Sequence, residues 1–121
     1  MSTSQEKATV SAKITAKDLN GKTIIDQDIY NVMDSSDGVS RVALVQKTIA
    51  HGDSEDLDLT NITTGRILVV ESDQPVRVTV NAGSEYIQGE ILILSGATLT
   101  AVSIENQSGN DANIKAYVIG K

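Results

Sequence analysis

The sequence predicts an all-β fold, an antiparallel β-sandwich that is jelly-roll-like, and three observations carry that prediction. Ala8, Val10, Ala12, Ile14 and Ala16 alternate with Thr9, Ser11, Lys13, Thr15 and Lys17, the two-residue period of a strand with one apolar and one wet face. Runs of this kind recur at short spacing with turn chemistry between them, while apolar residues at i, i+3, i+4, i+7 are nowhere sustained. The apolar residues are also of a type that fills the thin space between sheets. With no Phe and no Trp, a core must come from Val, Ile, Leu and Ala, and Val and Ile favour strands.

In chain order, residues 1–7 are small and polar and read as a flexible N-terminal arm, followed by a single β-sandwich domain over residues 8–121. After the first strand, Asn20-Gly21 is a strong hairpin signal. Thr23 to Met33 is the returning strand, with a slip of apolar phase between Ile24 and Ile29 that points to a bulge or a break. Asp34 to Gly38 is a loop by its Asp, Ser and Gly content. Arg41 to Ala50 is a third strand, His51 to Asp56 a second polar loop, Leu57 to Leu59 a short strand and Thr63 to Gly65 a turn.

Arg66 to Glu71 is apolar on both faces and so belongs in the middle of a sheet. Ser72 to Pro75 turns the chain, Val76 to Val80 alternates, and Asn81 to Gly83 turns it again. Glu85 to Gln88 is a short strand. Ile91 to Leu94 is again apolar on both faces, which makes Ile93 a buried residue, and Ser95-Gly96 breaks the run. Leu99 to Glu105, a turn at Asn106 to Asn110 and a last strand at Asn113 to Ile119 complete the domain.

Composition bounds the function. A chain of 121 residues buries roughly two-thirds of its unfolded surface, enough for one core without staples. The formal net charge of −6 and the isoelectric point of 4.6 argue against nucleic acid as a direct partner, because phosphate binding needs clustered Lys or Arg. The absence of Cys excludes a disulfide framework, a thiolate nucleophile and Cys-based metal sites. No apolar run reaches the length of a membrane span and the first residues lack a signal-peptide core, so synthesis in the cytoplasm and no membrane contact are expected.

The residues that could carry chemistry are few. His51 is the only histidine, and Asp53 and Ser54 are its near neighbours. Adjacent residues on one loop rarely converge as a triad, and no nucleophile-elbow motif is present, so His51 reads as a surface residue. Asp53, Glu55, Asp56 and Asp58 offer the oxygens that Ca²⁺ prefers, but without the EF-hand spacing they read as a solvated loop. Glycoside hydrolysis is disfavoured by the lack of aromatic platforms, since Tyr30, Tyr86 and Tyr117 are the only aromatics. Gly83, Gly89 and Gly96 are isolated at turn positions rather than grouped in a phosphate loop. No catalytic, cofactor-binding or metal-binding residue is therefore expected, and the chain is not read as an enzyme.

From Gln46 onward the order of segments is informative. Gln46-Lys-Thr-Ile49 is followed by Leu57-Asp-Leu-Thr-Asn-Ile-Thr-Thr-Gly65, Arg66-Ile-Leu-Val-Val-Glu-Ser72 and Pro75-Val-Arg-Val-Thr-Val80. Gly89-Glu-Ile-Leu-Ile-Leu94, Leu99-Thr-Ala-Val-Ser-Ile-Glu-Asn106 and Asn113-Ile-Lys-Ala-Tyr-Val-Ile119 follow. This order resembles small all-β virion structural proteins of tailed bacteriophages, over roughly the last three-fifths of the chain. The resemblance implies a capsid decoration (cement) protein, made in the host cytoplasm and carried on the capsid surface of the virion as a homo-oligomer. Its partner would be the major capsid protein, or tail proteins if it is instead a tail-associated structural or receptor-binding module. Such a role needs a rigid β framework, edges and arms that add strands to a neighbour, and avidity. The expected contact residues are Ser4, Gln5, Glu6 and Lys7 of the arm and Asp34, Ser35, Ser36 and Asp37 of the first loop.

Overall fold

The computed structural model describes residues 7–34, 39 and 41–121. The strands are β1 (Lys7–Lys17), β2 (Thr23–Asp34), β3 (Arg41–Ile49), β4 (Ser54–Asp56), β5 (Gly65–Val80), β6 (Ile87–Leu99), β7 (Val102–Glu105) and β8 (Ala112–Gly120). Among the described residues there is no helix, so none is long and apolar enough to cross a membrane. All pairings are antiparallel.

β1 and β2 form a ribbon of their own, with Lys7 opposite Asp34 and Ala12 opposite Ile29. The signal at Asn20-Gly21 is correct: the chain reverses there, with Gly21 at φ 81°. Asp18 locks the turn, its Oδ1 accepting from the N–H groups of Asn20 and Lys22, each at 2.9 Å. The expected slip in β2 falls at the start of the interval Ile24–Ile29: Ala16 pairs with Ile25 and Lys17 with Thr23, which leaves Ile24 as the extra, bulged residue. From Ile25 to Asp34 the pairing with β1 then runs without interruption.

The other six strands make one curled sheet in the order β3-β8-β5-β7-β4, with β6 added along the other side of β5. It is nearly closed, like a barrel. Lys47 of β3 reaches Glu55 of β4 at 2.8 Å across the remaining gap. Leu68, Val70, Val76, Ile104, Ala116 and Val118 are wholly or almost wholly buried inside it. Gly65 lies opposite both Gly120 and Leu99, where the strands run close. A Cβ on Gly65 would stand 2.6 Å from Val118 Cγ1, so the crossing admits no side chain.

β5 explains the curl. Its first half pairs with β8 as far as Ser72, and its second half pairs with β7 from Arg77 onward. Ser72–Pro75, expected to turn the chain, instead bulges within a continuous strand: those residues oppose the single residue Glu90 of β6. A bulge bends its strand and sharpens its twist, which lets β5 change partner and the sheet roll over. Pro75 is tolerated because the bulge already lacks ladder bonds there. Ser95-Gly96 behaves alike. Gly96, at φ 78°, sits in a register shift between β5 and β6, and the strand continues to Leu99.

Other boundaries move too. β4 occupies the end of the expected second loop, Leu57–Leu59 is not a strand, and Thr100-Ala101 interrupts the expected strand from Leu99 to Glu105. Arg66–Glu71 is central, as its two-sided apolar pattern predicts, with Ile67 to Val70 all buried. Ile91–Leu94 is not. It lies on β6, which among the described residues pairs only with β5, and Ile93 is 40% exposed.

Candidate assembly surface

The outer face of the curled sheet is built from transverse rows of side chains. Cross-strand partners share a face, so Val42, Ile119, Ile67 and Ser95 form one row across β3, β8, β5 and β6. Leu44, Tyr117, Val69 and Ile93 form the next, and Gln46, Lys115, Glu71 and Ile91 the third. Most of this face is apolar, although it points away from the barrel interior.

The base of the β1–β2 ribbon covers its middle. Met33 and Val39 are buried with Ile67 and Val69, and Ala8, Val10, Tyr117 and Ile119 pack around them. Asn31 Nδ2 donates to Ser95 Oγ beside this small second core. The flanks stay open. Val42 is 63% and Leu44 58% exposed on the β3 side, and Ile91 is 71% exposed on the β6 side. Farther along the ribbon, Ile14, Ile29 and Tyr30 are also exposed. A two-stranded ribbon alone is marginal in water, so its distal half is held by its turn and base rather than by a core beneath it.

At the lower end of the outer face, Lys47, Glu71, Asp73, Ile91 and Lys115 line an open cleft of about 700 Å³. Asp73 is engaged there: it accepts from the Asn113 backbone N–H and from Asn113 Nδ2, each at 2.8 Å. Those bonds, the backbone one first, hold its carboxyl below the usual carboxylate range. Arg77 lies over the Tyr86 ring, 4.6 Å from its centroid, and pairs with Glu105 at 3.5 Å.

The acidic segment does not gather its carboxylates. Glu55 pairs with Lys47, and Asp58 accepts from the Thr60 hydroxyl and N–H, bonds that hold its carboxyl low. Among the described residues no three His, Asp or Glu side chains are placed to hold a metal. His51 is exposed, and its Nδ1 accepts from the Gly109 N–H at 3.0 Å.

Of the residues expected to meet a partner, Lys7 and Asp34 face each other in register at the ribbon base, and Lys7 is the first residue of β1. Ser4, Gln5, Glu6, Ser35, Ser36 and Asp37 lie outside the described residues. The open apolar flanks were missed from sequence. Their signal was present in Val42–Val45 and Ile91–Leu94, but two-sided apolar runs read as interior strands. No protein-family model, curated protein or solved structure matches the chain.

Proposed function

We propose that this chain is a bacteriophage virion structural protein, a capsid decoration (cement) protein that binds the outer head surface and stabilises the shell. The resemblance of the segments after Gln46 motivates the reading. In it, the curled sheet is a variant of the jelly-roll-like sandwich such proteins use. The observation that supports it most is the open apolar surface flanking the ribbon, at Val42 and Leu44 on one side and Ile91 on the other. Exposed apolar patches rimmed by polar groups mark interaction sites. Contacts with the major capsid protein would be repeated over many copies, so weak single contacts sum to firm binding.

The tail-associated alternative draws on a different feature, the projecting ribbon with Leu19 and Tyr30 exposed, which suits reaching a distant surface. Mass spectrometry of separated heads and tails distinguishes the two. Recovery with heads, together with shells that resist heating better when the protein is bound, is the expected result. Recovery with tails alone rejects the cement reading.

A further inference from the structure

The two outermost strands of the four that make the outer face have the wrong sequence for their position. Natural edge strands are short, charged or interrupted by Pro, because an unpaired row of N–H and C=O groups invites another strand. β6 is 13 residues long and contains one charged residue, Glu90, and no Pro. Ile91 and Ile93 are open on its outer face, while Leu92 and Leu94 are only half-buried against the barrel core. β3 repeats the pattern. Val42 and Leu44 are open outward, and Ala43 and Val45 are half-buried inward. Anything lying on the outer face would cover one side of each strand. A further strand beside the edge covers both sides and satisfies the backbone.

The edges also differ in charge. β3 carries Arg41 and Lys47, the latter paired with Glu55 of β4 within its own copy, and no acid of its own, whereas β6 carries Glu90 and no Lys or Arg. We propose that the β6 edge of one copy pairs with the β3 edge of a second copy of this chain, head to tail and antiparallel. β3, β8, β5 and β6 alternate in direction, so a next copy in the same orientation brings its β3 antiparallel to β6. The register that extends the existing rows sets Leu44 opposite Ile93, Val45 opposite Leu92 and Lys47 opposite Glu90. Pairing β6 with another β6 would leave β3 open and bring like charges together. One head-to-tail contact accounts for both edges, and it closes a ring or runs on as a filament according to the rotation between copies.

This deepens the homo-oligomer part of the reading above and is independent of the shell. A free oligomer that ignores shells defeats only the cement reading, and a monomer that binds shells defeats only this one. The test uses the full chain by light scattering after size exclusion. Wild type is expected at a multiple of the 12.8 kDa chain mass. Ile91→Lys and Leu44→Lys, both at exposed positions that the fold tolerates, are each expected at the mass of one chain. Their mixture keeps one good β6 edge and one good β3 edge, and is expected to form a one-to-one pair that grows no further. Because the chain has no Cys, Leu44→Cys mixed with Ile93→Cys should give a disulfide between the two variants and little within either. A monomeric wild type overturns the proposal. So does a Leu44→Lys variant that still associates, or an Ile93→Cys variant that crosslinks to itself as readily as to its mate.

Discussion

Asn106, fully enclosed, donates from Nδ2 to the carbonyl oxygen of Ile49 at 2.7 Å, joining the turn after β7 to the end of β3. The same Nδ2 donates to the Asn110 carbonyl, and Oδ1 accepts from the Ser108 N–H and hydroxyl. One side chain thus ties the last residue of β3 to the turn after β7. Asn106→Ala removes the buried side-chain bond to the Ile49 carbonyl, while the partners in the turn stay partly open to water, and should cost about 1–3 kcal/mol. Urea unfolding measures it, and a change within error would mean that water reaches this carbonyl in the native state.

Leu68 and Ile93 test the difference between a central and an edge strand. Leu68 is fully buried on β5, so Leu68→Ala should cost about 2–5 kcal/mol. Ile93, on the open edge, keeps much of its surface in water, and Ile93→Ala should cost under about 2 kcal/mol in the monomer. Equal losses in denaturant melts of the monomeric Leu44→Lys background would place β6 in the interior.

Ala82 adopts φ 53° directly after Asn81 at φ 57°. Asn81 is held there, donating to the Thr98 carbonyl at 2.9 Å and accepting from the Thr100 N–H at 2.8 Å. Ala82 has no such compensation. Ala82→Gly should raise stability by roughly 0.5–1 kcal/mol, the left-handed penalty relieved less the entropy that glycine adds to the unfolded chain. A lower melting temperature would contradict the backbone described for this turn.

Asp73 gives a pH dependence with a definite sign. Its folded carboxyl titrates below the ordinary value of 3.8 because Asn113 donates to it twice. As pH falls, the unfolded chain takes up this proton before the folded one does. The contribution to stability is therefore complete above the unfolded value and is lost as pH falls through the folded one. The group is exposed and water screens it, so the effect is small. Asp73→Asn should flatten the acid limb of melting temperature against pH and leave the neutral region nearly unchanged. An unaltered acid limb would assign that loss to other carboxylates.

The sequence by itself determined the class of fold, the Asn20-Gly21 hairpin, the central position of Arg66–Glu71 and the final strand. Those are local properties: side-chain period, turn residues and two-sided hydrophobicity act within a few residues of chain. Only the tertiary structure decided that Ser72–Pro75 bends β5 rather than reversing it, and that the sheet therefore rolls toward a barrel. A turn and a bulge use the same small and polar residues, and what separates them is whether strands lie ready on both sides to continue the ladder. The same limit hid the candidate surface. Ile91–Leu94 is written as an interior strand, and nothing within those residues says whether the neighbour that makes it interior belongs to the same chain.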